Sequence, residues 1–430
     1  MLDVLRHSWA LLLGVMLLML GNGLQGSLLS VRGGAAGFSA FQMSVVMSAY
    51  FAGFLLASRM TPGMIRRVGH VRVFAALGSF ISAVLILYPA FPHPITWTIE
   101  RMVIGFCFCG VYVTAESWLN NASSNESRGQ ALSLYMIVQT LGIIAAQAIL
   151  LIPDTSGFLL FVIPSVLVSI AFAPILLSVS PTPAFATTKP MSLRRLYDTS
   201  PLGVVGMFLL GAVFSAQFGM SAVFATESGL TLGQISLFVA SFYVGALVTQ
   251  YPLGWLSDRM DRRQLTAAIA AVGGAGALVA MVFPDNFTVL LCAAFVIGGA
   301  NNPLYSLIIA YTNDFLGPED MASASAGLLF VNGVAAIGGP MLTGWMMSVF
   351  GPGGYFLFIA ILLLGLTGYA VWRMTRRPAP KVADTGVYTV MMPTASPVAM
   401  ELAQEYAIDV AEAASDAAQE TGTDGGRDAG

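Results

Sequence analysis

Twelve stretches of roughly twenty predominantly apolar residues follow one another along the 430-residue chain, and each is long enough to cross a bilayer core of ~30 Å as one helix. The first six lie at 8–30, 42–60, 72–90, 95–117, 129–151 and 157–178, and the second six at 203–225, 234–255, 265–283, 287–312, 322–347 and 353–373. Composition agrees: 57% hydrophobic and 10% charged residues leave too little polar surface for a water-soluble globule. A net charge of −3 with no basic face excludes nucleic-acid binding.

Positive charges close to helix ends are retained on the cytoplasmic side of a membrane. Arg6, Arg59, Arg66, Arg67, Arg72, Arg128, Lys189, Arg194, Arg195, Arg259, Arg262, Arg263, Arg373, Arg376 and Arg377 all fall on one side of the twelve spans, against Arg32 in the opposite loops. Both termini are therefore expected in the cytoplasm. The excess of Arg over Lys hints at a GC-rich bacterial genome and hence an inner membrane. The first apolar run continues to about Ser30 without a small-residue cleavage site, so it reads as an uncleaved first helix. Cys107, Cys109 and Cys292 sit inside apolar runs, where they serve packing better than disulfides or metal binding. The Asn-x-Ser/Thr triplets at Asn121, Asn125 and Asn286 read as chance.

The chain repeats itself. Gln42-Met-Ser44, Gly53 and Arg67 match Gln234-Ile-Ser236, Gly245 and Arg259 at an offset of 192. Val103-Ile-Gly105 with Tyr112 parallels Val296-Ile-Gly298 with Tyr305, and Glu126 with Ala131 parallels Glu319 with Ala324, at nearly the same offset. The expected division is an N-terminal six-helix bundle over 1–178, a Pro- and Ser/Thr-rich cytoplasmic connector over 179–202, a C-terminal bundle over 203–373 and a tail over 374–430.

Gly254-Trp-Leu-Ser-Asp258-Arg259-Met-Asp261-Arg262-Arg263 lies between the second and third helices of the second half. It resembles the Gly-x-x-x-Asp-Arg-x-Gly-Arg-Arg loop of the major facilitator superfamily, with Asp261 in place of a glycine. In the first half, Pro62-Gly-Met-Ile-Arg66-Arg67-Val-Gly69-His70 keeps a basic residue and the glycine but has Arg66 where the acid belongs. Glu116-Ser-Trp-Leu-Asn120, Arg128-Gly129 and Tyr135-Met136 resemble the YcaD-like branch of that superfamily. The likeness covers residues 8–375 and implies an all-α integral membrane fold, twelve transmembrane helices in two pseudo-symmetric six-helix bundles. It also implies a cytoplasmic gate in which Asp258 faces a helix N-terminus of the neighbouring bundle and Arg259 makes a charge pair. Read from the residues alone, Arg259, Arg262 and Arg263 serve equally well as headgroup anchors.

Charges inside spans are costly and so mark candidate sites. Arg101 lies in the outer half of the fourth span and, with Gly105, fits an Arg-x-x-x-Gly pattern resembling that of proton-coupled exporters. Glu100 beside it makes the pair the first coupling candidate, and snorkelling of Arg101 to the outer interface is the competing reading. Glu116, at the cytoplasmic end of the same span, is a second coupling candidate, although pairing with Arg128 is the structural alternative. Glu227 and Asp314, at span ends, are expected to be solvated, and His7, His70 and His93 lie at termini or in loops. Asn22, Gln25, Gln139, Gln217, Tyr243, Asn301, Asn302 and Asn332 fall at mid-depth, where each is interhelical glue or part of a polar solute cavity. Pro303 frees a backbone carbonyl one turn back, so the tenth span is expected to be broken there. Gly273-Gly-Ala-Gly276 and Gly338-Gly-Pro340 lie within spans and do not form a nucleotide loop. The fifth span has Leu141-Gly-Ile-Ile-Ala-Ala146-Gln147 where drug:proton antiporters carry a Gly-Pro pair, which weakens that assignment.

From Val382 onward nine acidic residues face one basic residue, Arg427, so the tail is expected to be mostly disordered and solvated. A helix beginning at Ser396-Pro397, with Leu402, Tyr406, Val410, Ala413 and Ala417 on one face, is the exception, and it would dock on the basic loops. No metal, cofactor or catalytic constellation is expected. The chain reads as a monomeric secondary transporter of a small organic solute, driven by protons or another gradient, with lipid as its only other partner. The alternative is a transporter-like membrane sensor or assembly factor.

Overall fold

The computed structural model describes residues 2–122, 127–154, 157–177, 190–376, 385–386 and 388–424; Asn125, Glu126, most of the connector with Lys189, and Arg377 lie outside them. The first half comprises α1 (Leu2–Ala35), α2 (Ala40–Val68), α3 (His70–Ala90), α4 (Pro94–Ala122), α5 (Arg128–Ile149) and α6 (Leu159–Leu177). A helix of about two turns, α7 (Leu193–Thr199), precedes the second half. That half comprises α8 (Pro201–Glu227), α9 (Leu232–Ser257), α10 (Arg262–Val282), α11 (Phe287–Asn313), α12 (Pro318–Phe350) and α13 (Gly354–Met374), and α14 (Pro397–Asp424) follows. Eleven of these helices meet the length and hydropathy of a membrane span, and α6, with 19 residues, is the twelfth. The fold is thus twelve membrane helices in two six-helix halves.

The repeated residues have matching structural duties. Ser39 with Gln42 and Thr231 with Gln234 form capping boxes that start α2 and α9. Gly53 lets α2 touch the Met102 carbonyl of α4, and Gly105 lets α4 touch the Tyr50 carbonyl of α2. Gly245 and Gly298 do the same for α9 and α11 against the carbonyls of Phe295 and Phe242. A Cβ at any of the four would collide with backbone, so the offset marks two helix crossings of the same construction.

The halves meet directly toward the face opposite the arginine-rich loops. There the Ser48 hydroxyl donates to the Ile337 carbonyl, and that of Ser236 to the Gln147 carbonyl at 2.5 Å. At mid-depth the ring of Phe218 packs on those of Tyr50 and Phe51 at 5.5 and 5.9 Å. Toward the arginine-rich face, the tail stands between the halves.

Several expectations are corrected by this packing. The tail is not mostly disordered over its described part: residues 388–396 run without regular structure through a turn at Pro393 and Thr394, α14 starts at Pro397 as the capping pattern indicated, and Met391 through Ser396 are buried. Tyr388 through Met400 contain no charged residue, so this piece can leave water although the tail as a whole is acidic. Helix α11 runs unbroken through Pro303, because the Thr249 hydroxyl of α9 takes up the freed Gly299 carbonyl at 2.7 Å. Asn286 is the N-cap of α11, its side chain accepting from the Val289 amide at 3.2 Å.

Candidate functional site

One turn of α1 carries Asn22 and Gln25 toward α4. The Nη1 of Arg101 donates to Gln25 Oε1 at 2.7 Å, and its guanidinium lies 4.8 Å from the centre of the Tyr50 ring. Asn22 Nδ2 donates to the hydroxyls of Tyr112 at 2.8 Å and Tyr50 at 3.3 Å. Arg101 is 0% exposed, so it turns inward instead of snorkelling outward, because this polar nest lies closer than the interface. It makes no ion pair with Glu100. Nε and Nη2 of Arg101, Nε2 of Gln25, Oδ1 of Asn22 and Oε2 of Glu100 are all buried without a hydrogen-bond partner. Unmet donors and acceptors at one level in a lipid-embedded core are expensive unless a ligand or water supplies the missing partners.

The second half contributes a matching set. Asn301 Nδ2 reaches Gln217 Oε1 at 3.5 Å, while Asn301 Oδ1, Gln217 Nε2, Asn302 Oδ1 and Asn332 Oδ1 lack partners. Asn332 lines a small space between the halves with Tyr50, Phe51 and Phe214. Asn302 lines another, of about 210 Å³, with Met136 and Thr140 of α5. Gln139 and Tyr243 are buried on α5 and α9. Of the polar residues picked out at mid-depth, Asn22, Gln25 and Arg101 thus gather around Tyr50 in one half and Gln217 meets Asn301 in the other, whereas Asn302 and Asn332 line separate spaces.

The loop motif is arranged differently from the expected gate. Arg262 forms its centre: its Nη1 donates to Asp314 Oδ1 at 2.6 Å and to the Ala310 carbonyl at 3.1 Å, and its Nη2 lies 3.3 Å from Asp258 Oδ1. Asp258 also accepts from the Tyr388 backbone amide at 3.0 Å, so it meets the tail and not a helix N-terminus of the other half. Arg259 donates to the Trp255 carbonyl at 3.0 Å and stacks over the Trp255 ring, making no charge pair. Gly254 receives the Tyr388 ring, and Arg67 is exposed. Asp261, standing where the family has glycine, caps α10 and pairs with Arg263 at 2.8 Å. Asp314 is not solvated: its side chain is 1% exposed, and burial pushes its carboxyl up to about 6 against the pull of Arg262.

Glu116 is likewise buried at 0% exposure, but it does not pair with Arg128. It accepts from the Tyr135 hydroxyl at 3.0 Å, from the Ser396 hydroxyl and from the Ala399 amide at 3.2 Å. Arg128 instead reaches Asp409 at 2.9 Å and Glu405 at 3.4 Å on α14. The residues that sequence reasoning missed are Tyr50, Ser306, Gln250 and Tyr388. Tyr50 and Ser306 are of types common in apolar spans, Gln250 lies close to the end of its span, and Tyr388 lies beyond the last span. Tyr112 did carry a signal, its repeat at Tyr305. Among the described residues no cluster of three or more His, Cys, Asp or Glu suits a metal ion.

Known proteins resemble this chain in sequence and in fold. The family model of the Major Facilitator Superfamily matches residues 11–232 and 202–390. The uncharacterized transporter YfkF of Bacillus subtilis is 27% identical over 321 residues, covering 73% of this chain and 81% of that protein. YcaD of Escherichia coli O17:K52:H18, also uncharacterized, is 26% identical over 367 residues, covering 83% of this chain and 92% of its own length. Among solved structures, a bacterial homologue of the human lysosomal transporter Spinster superposes with a TM-score of 0.66 at 15% identity, covering 94% of this chain and 98% of that one.

Proposed function

Because the chain belongs to the major facilitator superfamily, we propose that it is a secondary transporter carrying a small organic solute by alternating access between its two halves. The observation that carries this reading is the set of buried, partnerless polar atoms drawn from both halves, on Asn22, Gln25 and Arg101 and on Gln217, Asn301, Asn302 and Asn332. A purely structural core satisfies such atoms internally, whereas a solute site holds them ready. The solute is bound and released without a chemical step. In this reading the arginine-rich face is cytoplasmic, the protein works as a monomer in a cell inner membrane, and a proton or other ion gradient drives the cycle. Glu100, with its unpartnered buried oxygen, is the proton-coupling candidate in the first half.

The test is thermal stabilisation of the purified full-length protein across a library of metabolites and drugs, followed by counterflow of any hit in proteoliposomes. Hits that fail to stabilise Arg101→Ala or Asn301→Ala support the site. A complete absence of hits together with no counterflow would favour a sensor that keeps the fold without transport. For coupling, a pH-jump flux left unchanged by Glu100→Gln would eliminate that carboxylate.

A further inference from the structure

The segment from Tyr388 to Asp409 is held between the halves by contacts to its backbone and its side chains. The Ser306 hydroxyl of α11 donates to the Met391 carbonyl at 3.0 Å and accepts from the Met391 amide at 2.9 Å. Glu116 of α4 takes the Ser396 hydroxyl and the Ala399 amide, and so supplies from another helix the acceptor that the first turn of α14 needs. Gln250 of α9 donates to the Tyr388 hydroxyl at 2.9 Å, and Asn313 of α11 donates to Gln404 at 2.6 Å. Contacts to both halves converge on one uncharged stretch, while the acidic continuation reaches Arg128 at the rim.

The space left beside this segment decides what the contacts mean. Between Tyr50, Asn332, Pro393 and Thr394 the space is about 30 Å³, and a second space of about 210 Å³ lies beside Met391 and Met392, against Asn302 and Thr140. The larger opening, about 610 Å³, lies on the outer side of the segment between Arg59, Arg66, Val398 and Glu401. The segment therefore stands between the arginine-rich face and the polar residues at mid-depth, with the narrowest space at Pro393 and Thr394.

We propose that residues 388–409 are a tethered peptide ligand of the transport cavity, which must withdraw before a solute can enter from the arginine-rich face. The competition rests on the transport reading; the occupancy does not. A short tether presents the segment at an effective concentration near the millimolar range, so solutes present at micromolar levels compete poorly until the segment is drawn away.

The test uses full-length protein in inside-out membrane vesicles and a membrane-impermeant maleimide as probe, with labelling read by mass spectrometry of the peptide containing the engineered cysteine. Thr140→Cys lies beneath Met392, 3.9 Å from its sulfur in the native side chain. It is expected to react slowly in the full chain and roughly tenfold faster once Ala399→Asp sets a second carboxylate against Glu116. A synthetic peptide of residues 388–409 should restore the slow rate. Equal rates with and without Ala399→Asp, or no protection by the peptide, would overturn the proposal. Independently of how that variant folds, oxidation of Ser306→Cys with Met391→Cys should yield the linked peptide, and failure to form it would also overturn the proposal. Protection without any stabilising solute would keep the segment as the cavity's ligand and remove the transport reading. A solute binding the full chain and the Ala399→Asp protein equally would remove the competition and leave transport standing.

Discussion

Asp261 is where this chain departs from its family's loop, and the departure has a physical function. Its side chain caps α10 by accepting from the Arg263 amide at 2.9 Å, and its second oxygen meets the Arg263 guanidinium at 2.8 Å. Burial pushes this carboxyl up, but the hydrogen bonds and charge of Arg263 more than offset it and hold it below the usual value near 3.8. A depressed folded-state value means stability present above about pH 3.8 and lost as the pH falls further. Asp261→Gly, which restores the family residue, should cost only a few tenths of a kcal/mol through the lost cap alone, about 0.3 kcal/mol. Asp261→Asn keeps an acceptor, so the wild type's advantage over it in thermal unfolding should shrink as the pH is lowered from neutral toward 3.8 and below. A pH-independent difference would remove the ion-pair account. The pair was not legible in the sequence because residues two apart do not face each other on a helix; Asp261 escapes that rule as the non-helical N-cap. The same limit applies at Asn22 and Gln25: their depth could be counted, whereas their partners Tyr112, Tyr50 and Arg101 come from other helices.

At the scale of helices, the sequence was most informative where a duty is performed twice. The offset of 192 singled out Gly53 and Gly245, and the nearly equal one Gly105 and Gly298, because both halves need backbone contact at the same crossing. Gly105→Ala and Gly298→Ala should each cost about 1–3 kcal/mol in unfolding experiments, as overpacking against backbone does. Gly365→Ala, which faces open space, should be neutral or slightly stabilising. Equal behaviour of all three would show that the crossings have room to relax. The proline in α11 misled for the opposite reason: the group that repairs it, Thr249, sits on α9 and carries no mark in sequence. Thr249→Val leaves the Gly299 carbonyl without that hydroxyl, and a loss of about 1 kcal/mol is expected. An unchanged unfolding midpoint would mean that the helix closes over Pro303 unaided.

At the scale of the whole molecule, twelve spans, their alternation and their halves were readable because hydropathy and loop charge are sums over many residues. The inserted tail was not, since summing the nine acids beyond Val382 conceals that Tyr388 through Met400 carry none. In the proposed cycle, exchange of access between the halves depends on the seal opposite the arginine-rich face. There α2 and α8 approach so closely that a Cβ on Gly219 would lie 3.0 Å from that of Met47, so that a shift of roughly half an ångström apart reaches the Cβ separation of a disulfide. Rocking requires this contact to open once per cycle, while binding from the arginine-rich face does not. Oxidised Met47→Cys/Gly219→Cys protein should therefore lose counterflow of a solute identified by thermal stabilisation, and regain it on reduction. Its stabilisation by that same solute should persist in both redox states. Counterflow at the reduced rate in fully oxidised protein would mean that the solute moves by a path the two-half seal does not control, and alternating access would fall with it.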